Sequence, residues 1–117
     1  DFGPSTYMLG VLYMRGEGIF KDRDEAFRLF KKAARLGDAR GQYMVGYIHQ
    51  SGMLHPDEES DYEQGYLWSA IALMNGFEKA RSVMIKASLR MSDDKEASLI
   101  KLAEACIASG YKKCEIS

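Results

Sequence analysis

The chain has little of what would tie it to a membrane, to nucleic acid or to a disulfide-rich mini-domain. No apolar run among its 117 residues approaches the ~20 that a spanning helix needs. The formal net charge is −1, so no long-range field draws in a phosphate backbone or an anionic lipid surface. Two cysteines, Cys106 and Cys114, are too few to staple a small fold together. Val, Ile and Thr number only 11 between them, which disfavours strands. No signal peptide precedes the first repeat-like segment, but Asp1 rather than Met opens the chain. A processed chain or a piece of a longer one is therefore expected, with any targeting segment already gone.

What is present is helical periodicity. From Asp24 onward, Ala26, Phe27, Phe30, Ala33 and Ala34 fall on one face, and basic residues fill most of the other. Asp22 followed by Glu25 has capping-box spacing, and Gly37 follows a basic last turn as a C-terminal stop. The segment then repeats. Tyr7, Met8, Gly10 and Gly16 meet Tyr43, Met44, Gly46 and Gly52 at an offset of 36, whereas Leu29, Ala33 and Gly37 meet Trp68, Ala72 and Gly76 at 39. The three extra residues fall in the polar stretch 55–60, where lengthening a loop costs little. A third, degenerate unit follows: 77–91 stands in for a first helix, and Ser92 caps a last one with the stripe Ala97, Ile100, Ala103, Ala105, Cys106 and Ile107. The expected fold is all-α, a superhelix of antiparallel helical hairpins with about six helices. Its units are 1–37, 38–76 and a capping hairpin at 77–117. Asp1 aligns with Gly37, so the chain starts at an inter-repeat turn and upstream repeats are expected.

The pattern resembles the Sel-one-like repeat family, a relative of the tetratricopeptide solenoids. Leu9, Gly10, Tyr13, Gly16, Gly18, Ile19, Asp22, Ala26, Lys32, Ala33, Ala34 and Gly37 carry the match. Gly41, Val45, Gly46, His49, Gly52, Asp61, Gly65, Trp68, Ala72 and Gly76 form a looser second copy, in which Leu54 stands where Gly18 was. Residues 65–106 also look like the closing segment of bacterial members. The resemblance implies a scaffold or adaptor that binds protein or peptide partners, with no cofactor and no catalysis. A glycine within a helix costs roughly 1 kcal/mol against alanine, so Gly10 and Gly46 are best explained by close helix approach.

Chemical readings are weaker. Gly16-Glu17-Gly18 could cradle a phosphate, but a helix precedes it, and neither a Walker loop nor a dinucleotide fingerprint is complete. A turn is the better reading. His49 takes the place of Tyr13 in the repeat and reads as a packed residue. A metal site at His55 with Asp57 or Glu58, or a calcium loop in 57–63, lacks ligand spacing. None of the ten serines sits in a nucleophile elbow. The β-lactam chemistry of some cysteine-rich relatives has no Ser-x2-Lys motif here to carry it. Cys106 and Cys114, eight apart across Ser109-Gly110, resemble that subgroup's paired cysteines. Either they form a bridge, which favours a periplasmic or secreted location, or Cys106 is a buried thiol and Cys114 an incidental one.

Function is left to the surface. If first helices line a concave face, Met8, Val11 and Arg15 correspond to Met44, Tyr47 and Ser51, with Val83 and Lys86 in the third unit. Met8, Val11, Arg15, Met44, Tyr47 and Lys86 are the expected partner-binding stripe. The competing view has Met8 and Met44 filling core gaps. No nucleic-acid partner and no membrane insertion are expected. A first helix left uncovered could mediate a homodimer, and a small-molecule or hydrolytic role is the remaining alternative.

Overall fold

A computed structural model describes residues 2–53 and 60–116. Six helices follow one another: α1 Phe2–Arg15, α2 Arg23–Arg35, α3 Ala39–Ser51, α4 Tyr62–Met74, α5 Ala80–Ser88 and α6 Asp93–Ala108. No strand occurs among the described residues. Three N-termini are held by acidic residues: the Asp22 carboxylate accepts from the Glu25 N–H, Asp38 from Arg40 and Gly41, and Asp61 from Gln64. The Ser92 hydroxyl does the same for Lys95 at the start of α6. Gly16 and Gly52 close α1 and α3 in the left-handed region, at φ 74° and 66°, where a Cβ would be strained.

The two repeat offsets are reconciled in the inter-helix turns. The Asp22 N–H donates to the Tyr13 carbonyl at 3.0 Å, and the Asp61 N–H donates to the His49 carbonyl at 2.9 Å. Each hairpin is thus closed by the same clasp between its N-cap residue and the last turn of its first helix. The three inserted residues are absorbed between Gly52 and Asp61, and Leu54 through Glu59 lie outside the described residues.

The helices pack in sequence order, α1 on α2, α2 on α3 and α3 on α4, and α4 then carries both α5 and α6. Close approach is built from glycine. A Cβ on Gly46 would stand 2.7 Å from Ser69 Oγ and 3.0 Å from the Gly65 carbonyl oxygen, and one on Gly10 would meet Phe30 Cε1 at 2.8 Å. Helix α4 is the hub: every residue from Gly65 to Ala72 is buried. A helix apolar on all sides is covered on all sides. Phe30, Val45, Ile48, Leu67, Trp68, Ile71, Ala103 and Cys106 form the main core, and Tyr66, Ala87 and Leu99 a smaller cluster where α4, α5 and α6 meet. Burial, together with the Glu96 carboxylate that accepts its hydrogen bond at 2.9 Å, pushes Tyr66 up to about 12. It therefore remains a protonated donor at neutral pH.

The last unit departs from expectation in detail. Helix α5 is only nine residues long, and the α6 face turned inward is Leu99, Ala103 and Cys106. Ala97 and Ala105, expected on the apolar stripe, are exposed, because the helix is rotated to present Leu99 to Tyr66 and Ala87.

Candidate functional site

A groove of about 450 Å³ lies between α3 and α5. Tyr43, Tyr47, Gln50 and Ser51 form one wall, Ser82, Val83, Lys86, Leu89 and Arg90 the other, and Tyr62 closes one end. The wall residues follow helical arithmetic. Positions 43, 47 and 50 share a face of α3, and 82, 83, 86, 89 and 90 share one across α5 and the turn after it. The Tyr43 and Tyr47 rings stack at 6.1 Å with an interplanar angle of 14°. The Gln50 amide donates across to the Val83 carbonyl at 3.3 Å, tying the groove floor together. Arg90 lies over the Tyr62 ring at 5.1 Å.

Burial, with Tyr47 and Tyr7 nearby, pushes the Tyr43 hydroxyl above the ordinary phenol range. The wall is neutral there, and among the described residues the formal charge of the lining comes from Lys86 and Arg90 alone. Among the described residues nothing in the groove is arranged as nucleophile and base. Among the described residues no cluster of His, Cys, Asp or Glu could hold a metal ion.

The expected stripe divides among three environments. Tyr47, 37% exposed, and Lys86 come together in the groove. Val11 and Met44 pack against the core, while Met8, at 50%, is exposed on α1. Arg15 pairs loosely with Glu17 at 3.9 Å. Ser51 and Val83 join Tyr47 and Lys86 in the groove. The sequence alone does not single out Tyr43, Gln50, Tyr62, Ser82, Leu89 or Arg90. Leu89 and Arg90 were within reach, since they lie three and four residues beyond Lys86 on the same helical face. Tyr43 was read only as a repeat match to Tyr7.

The opposite face of α3 is occupied by the chain's own C-terminal segment. Cys114, 3% exposed, joins the main core and is bonded to Cys106, with an S–S distance of 1.97 Å and Cα atoms 4.7 Å apart. The Arg35 guanidinium donates to the Tyr111 carbonyl at 3.1 Å and pairs with Glu115 at 3.5 Å. The Asn75 amide donates both to the Tyr111 hydroxyl at 3.0 Å and to the Gln42 side-chain oxygen at 2.9 Å. Beneath this strap lies a small cavity of about 130 Å³ lined by Ala34, Val45, His49, Trp68 and Cys114, among others. His49 meets the Phe27 ring edge-on at 5.3 Å, as a packed residue does. His55, Asp57 and Glu58 lie outside the described residues. Gly16 and Gly18 form the rim of an open surface hollow beside Ile19 and Phe20 and begin no helix facing it; α2 starts only at Arg23.

The Sel1 repeat model matches the chain twice, over residues 3–38 and 39–77. No curated protein matches it.

Proposed function

The chain belongs to the Sel1 repeat family, whose members generally mediate protein–protein interaction, and from that premise we propose that it is a scaffold holding a peptide or helix of a partner protein in the α3–α5 groove. The observation that carries the reading is the groove itself: stacked Tyr43 and Tyr47 face Lys86, Leu89 and Arg90 across an open cleft. Adaptable aromatic and long side chains of this kind dominate interface energetics. The family is typically a non-catalytic scaffold, and the stacked tyrosines beside Lys86 and Arg90 support a binding role for the groove. The test compares partner capture by the unaltered protein, a Tyr47→Asp variant and a Phe20→Ser variant. Phe20 is 95% exposed in the α1–α2 turn and does not line the groove. A partner lost with Tyr47→Asp and kept with Phe20→Ser is expected; partners retained by both variants refute the reading.

A second reading, self-association through α1, is favoured by the exposure of Phe2, Met8 and Leu9. Concentration-dependent sedimentation that Leu9→Ser abolishes would carry it, and a monomer at high concentration would end it.

A further inference from the structure

The charge of the groove narrows what it can hold. The chain as a whole is at −1, yet the ten described residues that line the groove include two cations and no carboxylate. Most arginines here are already committed: Arg15, Arg28, Arg35, Arg40 and Arg81 all pair with acids. Arg90 does not. Its guanidinium lies over the Tyr62 ring at 5.1 Å, a cation–π contact that uses none of its N–H donors in a hydrogen bond. Lys86 is one helical turn earlier, on the same wall, with no ion pair among the described residues. Opposite them, the Tyr43–Tyr47 stack offers an aromatic surface, and Leu89 is 80% exposed at the rim.

We propose that the groove selects acidic peptide segments, seating a carboxylate side chain between Lys86 and Arg90 and a neighbouring apolar or aromatic side chain against Tyr43 and Tyr47. This rests on the peptide-scaffold reading above and adds the chemistry of the ligand. Two cations opposite an aromatic wall suit one or two carboxylates. A nucleic-acid backbone needs a longer basic track, and an anionic membrane a broader basic surface. Electrostatics at an exposed rim contributes mainly selectivity and association rate, so the preference will depend on salt.

The test uses three acetylated, amidated heptapeptides with the same Phe and Leu positions. Their remaining positions are Asp and Glu in the first, Asn and Gln in the second, and Lys and Arg in the third. Each is titrated into the isotope-labelled protein and followed by amide chemical shifts. The connection between α3 and α4 carries Asp57, Glu58 and Glu59, so the titration is repeated in Asp57→Asn/Glu58→Gln/Glu59→Gln, where the chain's own acids cannot compete. The acidic peptide is expected to shift Tyr43, Tyr47 and Lys86 amides and to bind roughly fivefold more tightly than the neutral one at low salt. That margin should shrink at high salt. Lys86→Glu/Arg90→Glu should reverse the order in favour of the basic peptide. Equal binding of acidic and neutral peptides in the groove would overturn the charge selection and leave the scaffold reading standing. No groove response to any peptide, in either background, would defeat both. Groove shifts caused by phosphatidylserine vesicles and by no peptide would likewise overturn the proposal in favour of a lipid surface.

Discussion

Hairpins α1–α2 and α3–α4 are built on one pattern and buried to different depths. Both are closed by the same Asp N–H to carbonyl clasp, both have a glycine in mid-helix, and both end in a left-handed glycine. Yet Val45 is 2% exposed, while its counterpart Leu9, 36 residues earlier, is 42% exposed. The reason is position in the stack. Helix α3 has α2 on one side and α4 on the other, whereas α1 packs on α2 with only slight contact to α3. Local sequence decides that a helix forms and where it turns; neighbours decide which of its apolar residues are covered.

The largest effect expected from this difference is at the mid-helix glycines. Gly46→Ala drives a Cβ against Ser69 and the Gly65 carbonyl, with helices on both sides, and should cost about 2–3 kcal/mol after the gain in helix propensity. Gly10→Ala meets only the Phe30 ring, from a helix free to tilt outward, and should cost within about 1 kcal/mol. Urea unfolding of the two variants measures both, and equal losses would break the comparison.

Next in size are the core truncations. Val45→Ala should destabilise by about 2 kcal/mol, and Leu9→Ala by less than about 1 kcal/mol although it removes more atoms. The reverse order in thermal or urea melts would mean that α1 is covered in solution, as a self-association through that face would require.

The smallest expected effect concerns the one polar difference at the clasp, Tyr13 against His49. Burial holds the His49 imidazole below its ordinary value of 6.5, against the pull of Asp61 and with repulsion from Lys31. With the folded value depressed, the unfolded chain takes up the proton first. Stability is therefore full above 6.5 and is lost as pH falls from there through the lowered folded value. His49→Tyr, which installs the first repeat's residue, should reduce the drop in melting temperature between neutral and mildly acidic buffer by roughly one or two degrees. An unchanged drop would place the acid sensitivity elsewhere.

Much of this was legible beforehand, for physical reasons. Asp22, Ser92, Gly16 and Gly37 act through the backbone within a few residues, so their roles as caps and turns can be read locally. The repeat offsets exposed the tandem hairpins and the need for close packing at Gly10 and Gly46. What could not be read was rotation and neighbourhood. The tilt that exposes Ala97 and Ala105 depends on where Tyr66 stands, 31 residues earlier than Ala97. The groove likewise depends on how α5 leans against α3, so Tyr47 and Lys86 can be named from the repeat and Arg90 from its spacing to Lys86, while Tyr62, which enters from α4, cannot. The strap was half legible: its Cys106–Cys114 tie was one of two open readings, while its other anchors were hidden. Those anchors, Arg35 and Asn75, lie 76 and 36 residues from Tyr111 and have no local motif.

The strap also has an optical consequence. The protein's single tryptophan, Trp68, is 5% exposed and lies beside the Cys106–Cys114 bridge, beneath the C-terminal segment and across α3 from the groove. Its emission is a built-in gauge of one face only. Reducing the bridge would free residues 111–116, admit water and remove a disulfide, a natural quencher, from beside the indole. A ligand in the groove would leave that signal untouched and act on the Tyr43, Tyr47 and Tyr62 rings instead. Two populations of aromatic residues, on opposite sides of one helix, thus report two separate events without any added dye.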